Sequence, residues 1–379
     1  MNKQSFFSII IPTFNRAEQL RRALASIDKQ TFKDFEVIVC DDGSNDHTKE
    51  VVDAFHNNFE LKYIYGENWG GPAQPRNNGL KIATGKHIAF LDSDDWWYPN
   101  KLEVVSEQMH DADVSYHDLE VYSPKGKSLT LKIKGRHFKQ PFLADILKNG
   151  NVITTSSVTI RRDFIRQLCL SEGREAHYAF NVGTISKAKV AKQYPKIQSK
   201  YDLFFENQND EYLILKSNAE KIVKKDILNI NNGREFINDI KQAKTENFED
   251  FDLWLRLSMK ARKIVYIPKS LGAYWVGQGN RSEAADWYIN GFTTIYHRYM
   301  SYLGKKDQEQ AQLHMSYIIG RCKHQMNKNQ EALEHYAVAS KTNNLRFKFR
   351  SIMLMLYLWI LMRTQIIKEY QPLFCKRRK

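Results

Sequence analysis

Four apolar runs with helical segments between them constrain the fold of this chain most. They begin at Phe6, Phe35, Leu61 and Ile88, and the first, second and fourth show no polar alternation. Continuous apolar runs of this length are typical of strands buried on both faces of a parallel sheet. Because amphipathic helical patterns separate the runs, the sequence predicts a doubly wound α/β domain over the first hundred residues.

Polar and acidic residues follow three of these predicted strands. Thr13 ends the first, Asp42 ends the second, and Asp92 begins an Asp-Ser-Asp-Asp group after the fourth. In open α/β sheets, ligands bind outside the carboxyl ends of the strands. Carboxylates there are suitable ligands for Mg²⁺ or Mn²⁺, with a diphosphate supplying the remaining oxygens. The acidic group alone leaves open a solvated turn with no function.

Two common phosphate-binding motifs are absent from the sequence. No G-x-G-x-x-G follows the first strand, and no G-x-x-x-x-G-K-[ST] occurs anywhere. A phosphate ligand would therefore need another source of positive charge, and a metal held by the aspartates is the natural alternative.

The first hundred residues resemble the nucleotide-binding half of family 2 glycosyltransferases with the GT-A fold. The resemblance is carried by residues 8–48 and 75–99, including the Asp92-Ser93-Asp94 group. It implies a nucleotide-sugar diphosphate bound through Mg²⁺ or Mn²⁺, with Asp94 as the direct ligand and Asp92 touching metal or ribose. The nucleotide-sugar-binding residues that it implies are Pro12, Thr13, Phe14, Asp42, Arg76, Asp92 and Ser93. Asp42 matches the position that reads the uracil imide, which favours UDP.

A second acidic group, Glu249-Asp250, opens an apolar helical pattern. Acids in a first helical turn are favourable for the helix dipole, so a purely structural role is a reasonable alternative. The segment also resembles the acidic motif of the same family, which implies that Asp250 is the catalytic base. Weaker acceptor-side candidates are Glu249, Trp96, Ser156, Ser157 and Arg281.

The net charge of +14 is concentrated near the end of the chain. Residues 345–379 carry nine Lys or Arg against one acid, around the eleven apolar residues Ile352 to Met362. As a helix this apolar run spans about 16 Å, too short to cross a hydrocarbon core of about 30 Å. The pattern favours a helix lying on an anionic membrane surface rather than nucleic-acid binding, with a helix packed on the domain as the alternative.

The sequence predicts four regions. Residues 1–110 are the nucleotide-sugar-binding half, 111–285 the acceptor half with a folded insertion at about 171–245, 286–344 a helical hairpin region, and 345–379 a basic amphipathic tail. Residues 317–342 resemble one tetratricopeptide-like hairpin, which cannot bury its own apolar face and should pack on another element.

These features together predict a metal-dependent, inverting glycosyltransferase of cell-surface polysaccharide biosynthesis, such as capsule or O-antigen assembly. It would transfer a sugar from a UDP-sugar to a hydroxyl of a glycan acceptor. The tail, together with the family resemblance, suggests that this acceptor is lipid-linked. The scattered cysteines and the absence of a signal-peptide pattern favour a cytoplasmic protein on the inner face of the membrane. The alternatives are a metal-dependent nucleotidyltransferase and a non-catalytic partner subunit of the same fold.

Overall fold

A computed structural model describes residues 4–171, 184–186, 205–206, 212–214, 248–277 and 286–375. The chain divides into two compact units, one of residues 1–138 and 152–280, the other of residues 139–151 and 281–379. The sequence places residues 139–151 in the acceptor half, whereas they group with the C-terminal helices in this division.

Strands occur only in the first unit, among the described residues. They are β1 (Phe7–Thr13), β2 (Phe35–Asp41), β3 (Glu60–Tyr65), β4 (His87–Phe90), β5 (Trp96–Trp97), β6 (Val114–Ser123), β7 (Gly126–Ile133), β8 (Thr159–Arg161), β9 (Thr184–Ser186), β10 (Phe205–Glu206), β11 (Tyr212–Ile214) and β12 (Ile264–Trp275).

Helices occur in both units. They are α1 (Ala17–Asp28), α2 (Thr48–Asp53), α3 (Ala73–Ile82), α4 (Lys101–Gln108), α5 (Phe142–Asn149), α6 (Arg162–Ser171), α7 (Glu249–Lys260), α8 (Asp286–Met300), α9 (Lys305–Gln325), α10 (Asn329–Ala339) and α11 (Leu345–Cys375).

Nine strands form one mixed sheet in the order β3-β2-β1-β4-β8-β6-β12-β5, with β7 paired to β6. β1 pairs in parallel with β2 and β4, and β2 pairs in parallel with β3. Thr13 is in register with Asp41, so the first two strands end side by side. The predicted mostly parallel α/β sheet with flanking helices is therefore confirmed.

Apolar side chains cover both faces of the sheet, which explains why the runs do not alternate. Ile9 and Ile11 belong to a core with Leu20 of α1, whereas Ile10 belongs to a second core with Trp254 of α7. Successive strand residues point to opposite faces, and here each face meets helices.

The sequence of residues 152–165 alternates like one strand and then becomes helical in pattern, and the structure differs from that pattern. A 3₁₀ turn occupies Thr155–Ser157 before the short strand β8. The Thr154 hydroxyl donates to the Ser157 hydroxyl at 2.9 Å, and the Ser157 hydroxyl donates to the Thr154 carbonyl at 2.9 Å. Such local hydroxyl contacts compete with sheet pairing and favour the turn.

The predicted insertion contributes a separate antiparallel sheet in the order β10-β11-β9. Within the insertion the sequence has strand-like patterns at 201–205 and 211–216, and the strands β10 and β11 overlap these segments. The sequence also predicts a turn at 231–233 and a helix at 235–244, which lie outside the described residues.

The second unit is helical, and α9 and α10 form its central hairpin. Tyr317, Tyr336 and Leu358 share one buried cluster, in which Leu358 comes from α11. A Cβ at Gly320 would lie 2.9 Å from the Tyr336 ring, so glycine permits the close approach of α9 and α10. The hairpin therefore buries its apolar face against α11.

The helix α11 has two unlike faces. Ser351 and Leu358 are fully buried. The exposed side carries the large apolar residues Leu345, Phe349, Ile352, Met353, Leu356, Tyr357, Trp359 and Ile360. Among the helices that the structure describes, none is both long enough and apolar enough to cross a membrane.

Two buried histidines make the stability of the first unit sensitive to acid. Burial, with the charge of Lys101 adding to it, lowers the pKa of His117 to about 3, and burial lowers the pKa of His87 to about 4. An unfolded chain protonates histidine near pH 6.5, so the unfolded state binds more protons between about pH 6.5 and pH 3. Stability is complete above this window and is lost as the pH falls through it.

We expect His117→Asn to reduce this acid sensitivity, because the Asn amide can replace the contact of Nδ1 with the Asp118 carbonyl at 2.9 Å but does not titrate. Between about pH 6 and pH 4, the free energy of unfolding should depend less steeply on pH in the variant than in the native chain. The difference between the two slopes should be roughly 1.4 kcal/mol per pH unit. Urea unfolding across this range measures it, and equal slopes for the two proteins would contradict the assignment.

Candidate active site

The acidic turn after β4 is the centre of the candidate site. The Asp95 amide donates to the Asp92 carbonyl at 3.0 Å, which closes a turn immediately before β5. β5 then pairs with Gly272 and Ala273 of β12. The turn is thus held at the sheet edge where β1 and β2 also end.

Two arginines of the β1–α1 region hold Asp94. The Arg16 guanidinium donates to the Asp94 carboxylate, and Arg22 Nη2 donates to the Asp94 carbonyl at 2.6 Å. Burial and the neighbouring charge of Asp92 raise the pKa of Asp94, against the opposing effect of Arg16. The positive charge around the Asp94 carboxylate is therefore too small to keep its pKa at the ordinary value.

Arg76 connects the two acidic motifs of the sequence. Its guanidinium is 2.7 Å from the Asp92 carboxylate and 3.1 Å from the Glu249 carboxylate. Arg76 is 3% exposed, whereas the side chains of Asp92 and Glu249 are 31% and 18% exposed, so the bridge is shielded from water on its arginine side. Burial alone would lower the pKa of Arg76, but the charges of Asp92 and Glu249 raise it. Residues 173 positions apart are thereby placed side by side.

Asp250 lies next to this bridge at the start of α7. Its carboxylate accepts hydrogen bonds from the Phe251 amide at 2.6 Å and from the Thr155 hydroxyl at 3.3 Å. Burial raises the pKa of Asp250, and the positive charge of Arg76 acts against that rise. A carboxylate whose pKa is raised is a stronger base than an ordinary aspartate.

Asp95 lies behind the site. It is 1% exposed, and its carboxylate accepts a hydrogen bond from the Trp275 amide at 2.8 Å. Burial and the charge of Asp94 raise its pKa well above the usual range. These contacts fit a structural acid at the turn.

Asp42 anchors the loop that follows β3. Its carboxylate accepts hydrogen bonds from the amides of Trp69 at 2.8 Å, Gly70 at 3.0 Å and Gly71 at 3.3 Å. Its own amide donates to the Thr13 carbonyl at 2.9 Å. The predicted uracil contact would therefore be made by a carboxylate that already organises the adjacent loop.

The remaining predicted donor-site residues lie around the same strand ends. Pro12 and Thr13 are buried at the end of β1, and Phe14 is 41% exposed. Ser93 is buried within the acidic turn.

The acceptor-side candidates have different positions. Ser156 supports the turn, because its hydroxyl accepts a hydrogen bond from the Asp92 amide at 3.1 Å and its carbonyl accepts one from Trp97 Nε1 at 2.8 Å. Ser157 is buried and bonds within its own turn. The Trp96 ring packs against the Tyr122 ring, with 4.8 Å between the ring centroids. Arg281 lies outside the described residues.

Three residues at the site were not found by the sequence reasoning, namely Arg16, Arg22 and Thr155. Arg16 directly follows the first strand end, which is a signal that the sequence does contain. Arg22 lies within an amphipathic helical pattern whose charged residues are normally solvated. Thr155 makes its contact only because the chain turns before β8.

The acidic turn carries two carboxylates that the sequence predicts as metal ligands, and each is paired with a guanidinium, Asp92 with Arg76 and Asp94 with Arg16. Five carboxylates share this network with three guanidiniums, so negative charge is in excess. No group of three or more His, Cys, Asp or Glu able to hold a metal occurs in the described part of the chain. Mg²⁺ is commonly bound by one or two carboxylates together with substrate phosphates, and Asp92 and Asp94 offer two carboxylates.

Residues 8–168 match the family model described as glycosyl transferase family 2. This segment is a family 2 glycosyltransferase domain. It contains the acidic turn and both strand ends of the site, whereas Asp250 lies beyond the matched residues.

Curated relatives of the family 2 domain include two bacterial enzymes. The chain is 40% identical over 109 residues to the Escherichia coli enzyme UDP-Glc:alpha-D-GlcNAc-diphosphoundecaprenol beta-1,3-glucosyltransferase WfgD, covering 29% of this chain and 43% of that enzyme. It is 36% identical over 161 residues to the Staphylococcus aureus poly(ribitol-phosphate) beta-N-acetylglucosaminyltransferase TarS, covering 40% of this chain and 26% of that enzyme. The chain therefore spans less than half the length of either relative.

A solved structure supports the GT-A-like fold beyond the matched segment. The mannosyltransferase PcManGT from Pyrobaculum calidifontis, in complex with GDP-Man and Mn²⁺, aligns with a TM-score of 0.50 at 13% identity, over 98% of this chain and 82% of that one.

Proposed function

We propose that this chain is a metal-dependent, inverting glycosyltransferase that uses a UDP-sugar donor and a lipid-linked glycan acceptor. The observation that supports the proposal is the Arg76 bridge between Asp92 and Glu249, because Asp92 belongs to the predicted diphosphate motif and Glu249 directly precedes the predicted base Asp250. Donor and acceptor chemistry would then share one site.

In this proposal Asp250 takes the proton of the acceptor hydroxyl. The hydroxyl oxygen bonds to the anomeric carbon on the face opposite the diphosphate, and the bond from that carbon to the phosphate oxygen breaks. The electron pair leaves with UDP, so the configuration inverts. Thr155 and the Phe251 amide hold the Asp250 carboxylate in place.

Asp94 and Asp92 would hold the Mg²⁺ or Mn²⁺ ion. When bound, such a cation offsets negative charge on the departing diphosphate. Arg16 and Arg76 add positive charge at the same edge, and Asp42 with Pro12, Thr13, Phe14 and Ser93 forms the proposed nucleoside side of the site. The presence of Mn²⁺ and a nucleotide sugar in the named PcManGT complex supports this part of the proposal.

The named activities of the relatives support sugar transfer rather than the alternatives. Both are named as glycosyltransferases, and the E. coli name includes a UDP-sugar and a diphosphoundecaprenol acceptor. Nucleotidyl transfer is not favoured by the family match. A non-catalytic partner subunit would not need five carboxylates converging on one turn.

The helix α11 is the proposed contact with an anionic membrane surface. Its exposed apolar side is flanked by the exposed residues Arg346, Lys348 and Arg350. Apolar side chains would enter the interface while basic residues meet lipid phosphates. In this proposal the enzyme acts at the cytoplasmic face of the membrane, in surface-polysaccharide assembly.

We expect Asp250→Asn to reduce transfer by about 10² to 10⁴-fold, because the amide cannot accept the acceptor proton. UDP binding should stay close to native. In the native enzyme the rate should rise with pH through the pKa of Asp250, above the ordinary aspartate value of about 3.9. Initial rates with a UDP-sugar and a diphosphoundecaprenol-linked sugar measure both effects.

Asp163→Asn is the matched control, since Asp163 is an exposed acid in the first turn of α6. Near-native transfer by Asp250→Asn would remove the base assignment.

We expect Asp94→Asn to abolish the dependence of UDP binding on Mn²⁺. Without metal the variant should bind UDP at least as tightly as the native chain, because Arg16 loses its carboxylate partner and can meet a phosphate. Calorimetric titration of UDP with and without Mn²⁺ measures this, with Asp163→Asn again as the control. If the native chain binds UDP equally well in both conditions, the metal role is wrong.

We expect the combined substitutions Phe349→Ser, Leu356→Ser and Trp359→Ser to abolish binding to phosphatidylglycerol vesicles. These side chains are exposed, so the fold should persist. Native binding should weaken as salt rises, because charge attraction is screened. Co-sedimentation measures it, with Tyr302→Ser plus Val338→Ser as the control for loss of exposed apolar surface elsewhere. Unchanged sedimentation of the triple variant would exclude α11 as the membrane contact.

A further inference from the structure

The Arg22 guanidinium contacts two indole rings, those of Trp96 and Trp275. Its guanidinium carbon lies 4.2 Å from the Trp96 ring centroid and 4.6 Å from the Trp275 ring centroid. The two rings are 6.4 Å apart and inclined at 51°. A planar guanidinium stacks on aromatic faces in a way that a lysine ammonium does not.

The same guanidinium holds the main chain of the predicted metal ligand. Arg22 Nη2 donates to the Asp94 carbonyl at 2.6 Å, whereas Arg16 contacts the Asp94 carboxylate. The two arginines therefore act on different parts of one residue. Arg16 meets the group that would bind a cation, and Arg22 sets where the backbone carrying that group lies.

Three separate segments meet at Arg22. It comes from α1, Trp96 begins β5 after the acidic turn, and Trp275 ends β12. The Trp275 amide also donates to the Asp95 carboxylate at 2.8 Å, which ties the end of β12 to the same turn. The turn is thus held from the helix side by Arg22 and from the strand side by Trp275.

We propose that Arg22 is a positioning residue for the donor diphosphate. Its guanidinium contacts the Trp96 and Trp275 rings and holds the Asp94 backbone by a hydrogen bond to the Asp94 carbonyl, an arrangement called the clamp below. This inference rests on the proposed function. Arg22 does not itself touch the donor in this scheme. Its guanidinium restricts the backbone of the turn. Asp94 is then already positioned for the cation and diphosphate, and less conformational entropy is lost on binding.

The test compares Arg22→Met, Arg22→Lys and Arg21→Met with the native chain. Arg21 is the neighbouring arginine of α1, and its side chain is 49% exposed beside Glu18. UDP binding in the presence of Mn²⁺ is measured by calorimetry, and hydrogen exchange is measured at the amides of residues 94–97.

We expect Arg22→Met to weaken UDP binding by about tenfold or more, the loss that follows removal of one charge-assisted hydrogen bond. Exchange at residues 94–97 should rise, while Arg21→Met should match the native chain in both measurements. Arg22→Lys should stay closer to Arg22→Met than to native, because lysine keeps the charge but loses the planar fork. In steady state the loss should appear in KM for the donor more than in kcat.

A double variant tests the contact between Arg22 and Trp275. Once Arg22→Met is present, Trp275→Leu should weaken UDP binding little further, because the two residues act as one unit. Additive losses would overturn the clamp, and so would native-like binding and exchange in Arg22→Met. Native-like UDP binding and exchange in Arg22→Lys would overturn the clamp as well, since a positive charge at this position would then be enough to hold the turn. If Arg22→Met does not fold, Arg22→Lys decides by the same criteria.

The exchange measurement separates this inference from the proposed function. If the native chain binds no UDP, the proposed donor is wrong. Faster exchange at residues 94–97 in Arg22→Met but not in Arg21→Met would still support the clamp, and equal exchange in both would overturn it.

Discussion

The buried guanidinium of Arg76 is the interaction on which the rest of the site depends. It lies between the carboxylates of Asp92 and Glu249, one after strand β4 and the other at the start of helix α7. Removing one partner of a buried ion pair leaves an uncompensated charge, which is strongly destabilising. The bridge therefore fixes the distance between two motifs that the chain supplies far apart.

The carboxylates around the site outnumber the guanidiniums. Arg16, Arg22 and Arg76 do not balance the acids gathered around the turn, and burial together with the charges of neighbouring carboxylates raises the pKa of Asp94, Asp95 and Asp250. Such an environment favours the proposed cation at the turn and the proposed base at Asp250. One electrostatic imbalance thus supports both halves of the proposed reaction, donor activation and proton removal.

The C-terminal helix α11 has one buried face and one exposed face. Leu358 completes the buried cluster of α9 and α10, so α11 is part of the fold of the second unit. The opposite face carries exposed aromatic and aliphatic residues beside basic ones. The packed helix that the sequence left open as an alternative describes the buried face, and the proposed membrane contact concerns the exposed face.

The sequence by itself determined the order of the first four strands and the helices between them, the parallel edge where Thr13, Asp42 and Asp92 gather, and the two acidic motifs. These are local properties, since apolar runs and helical periodicity are written in neighbouring residues. It did not reveal the turn at Thr155, where hydroxyl bonds replace strand pairing. Only the tertiary structure decided that Arg16 and Arg22 act on Asp94 and that Arg76 joins Asp92 to Glu249. An amphipathic pattern shows which helix face is apolar but not which distant carboxylate a charged side chain meets, because that depends on how the helix packs on the sheet.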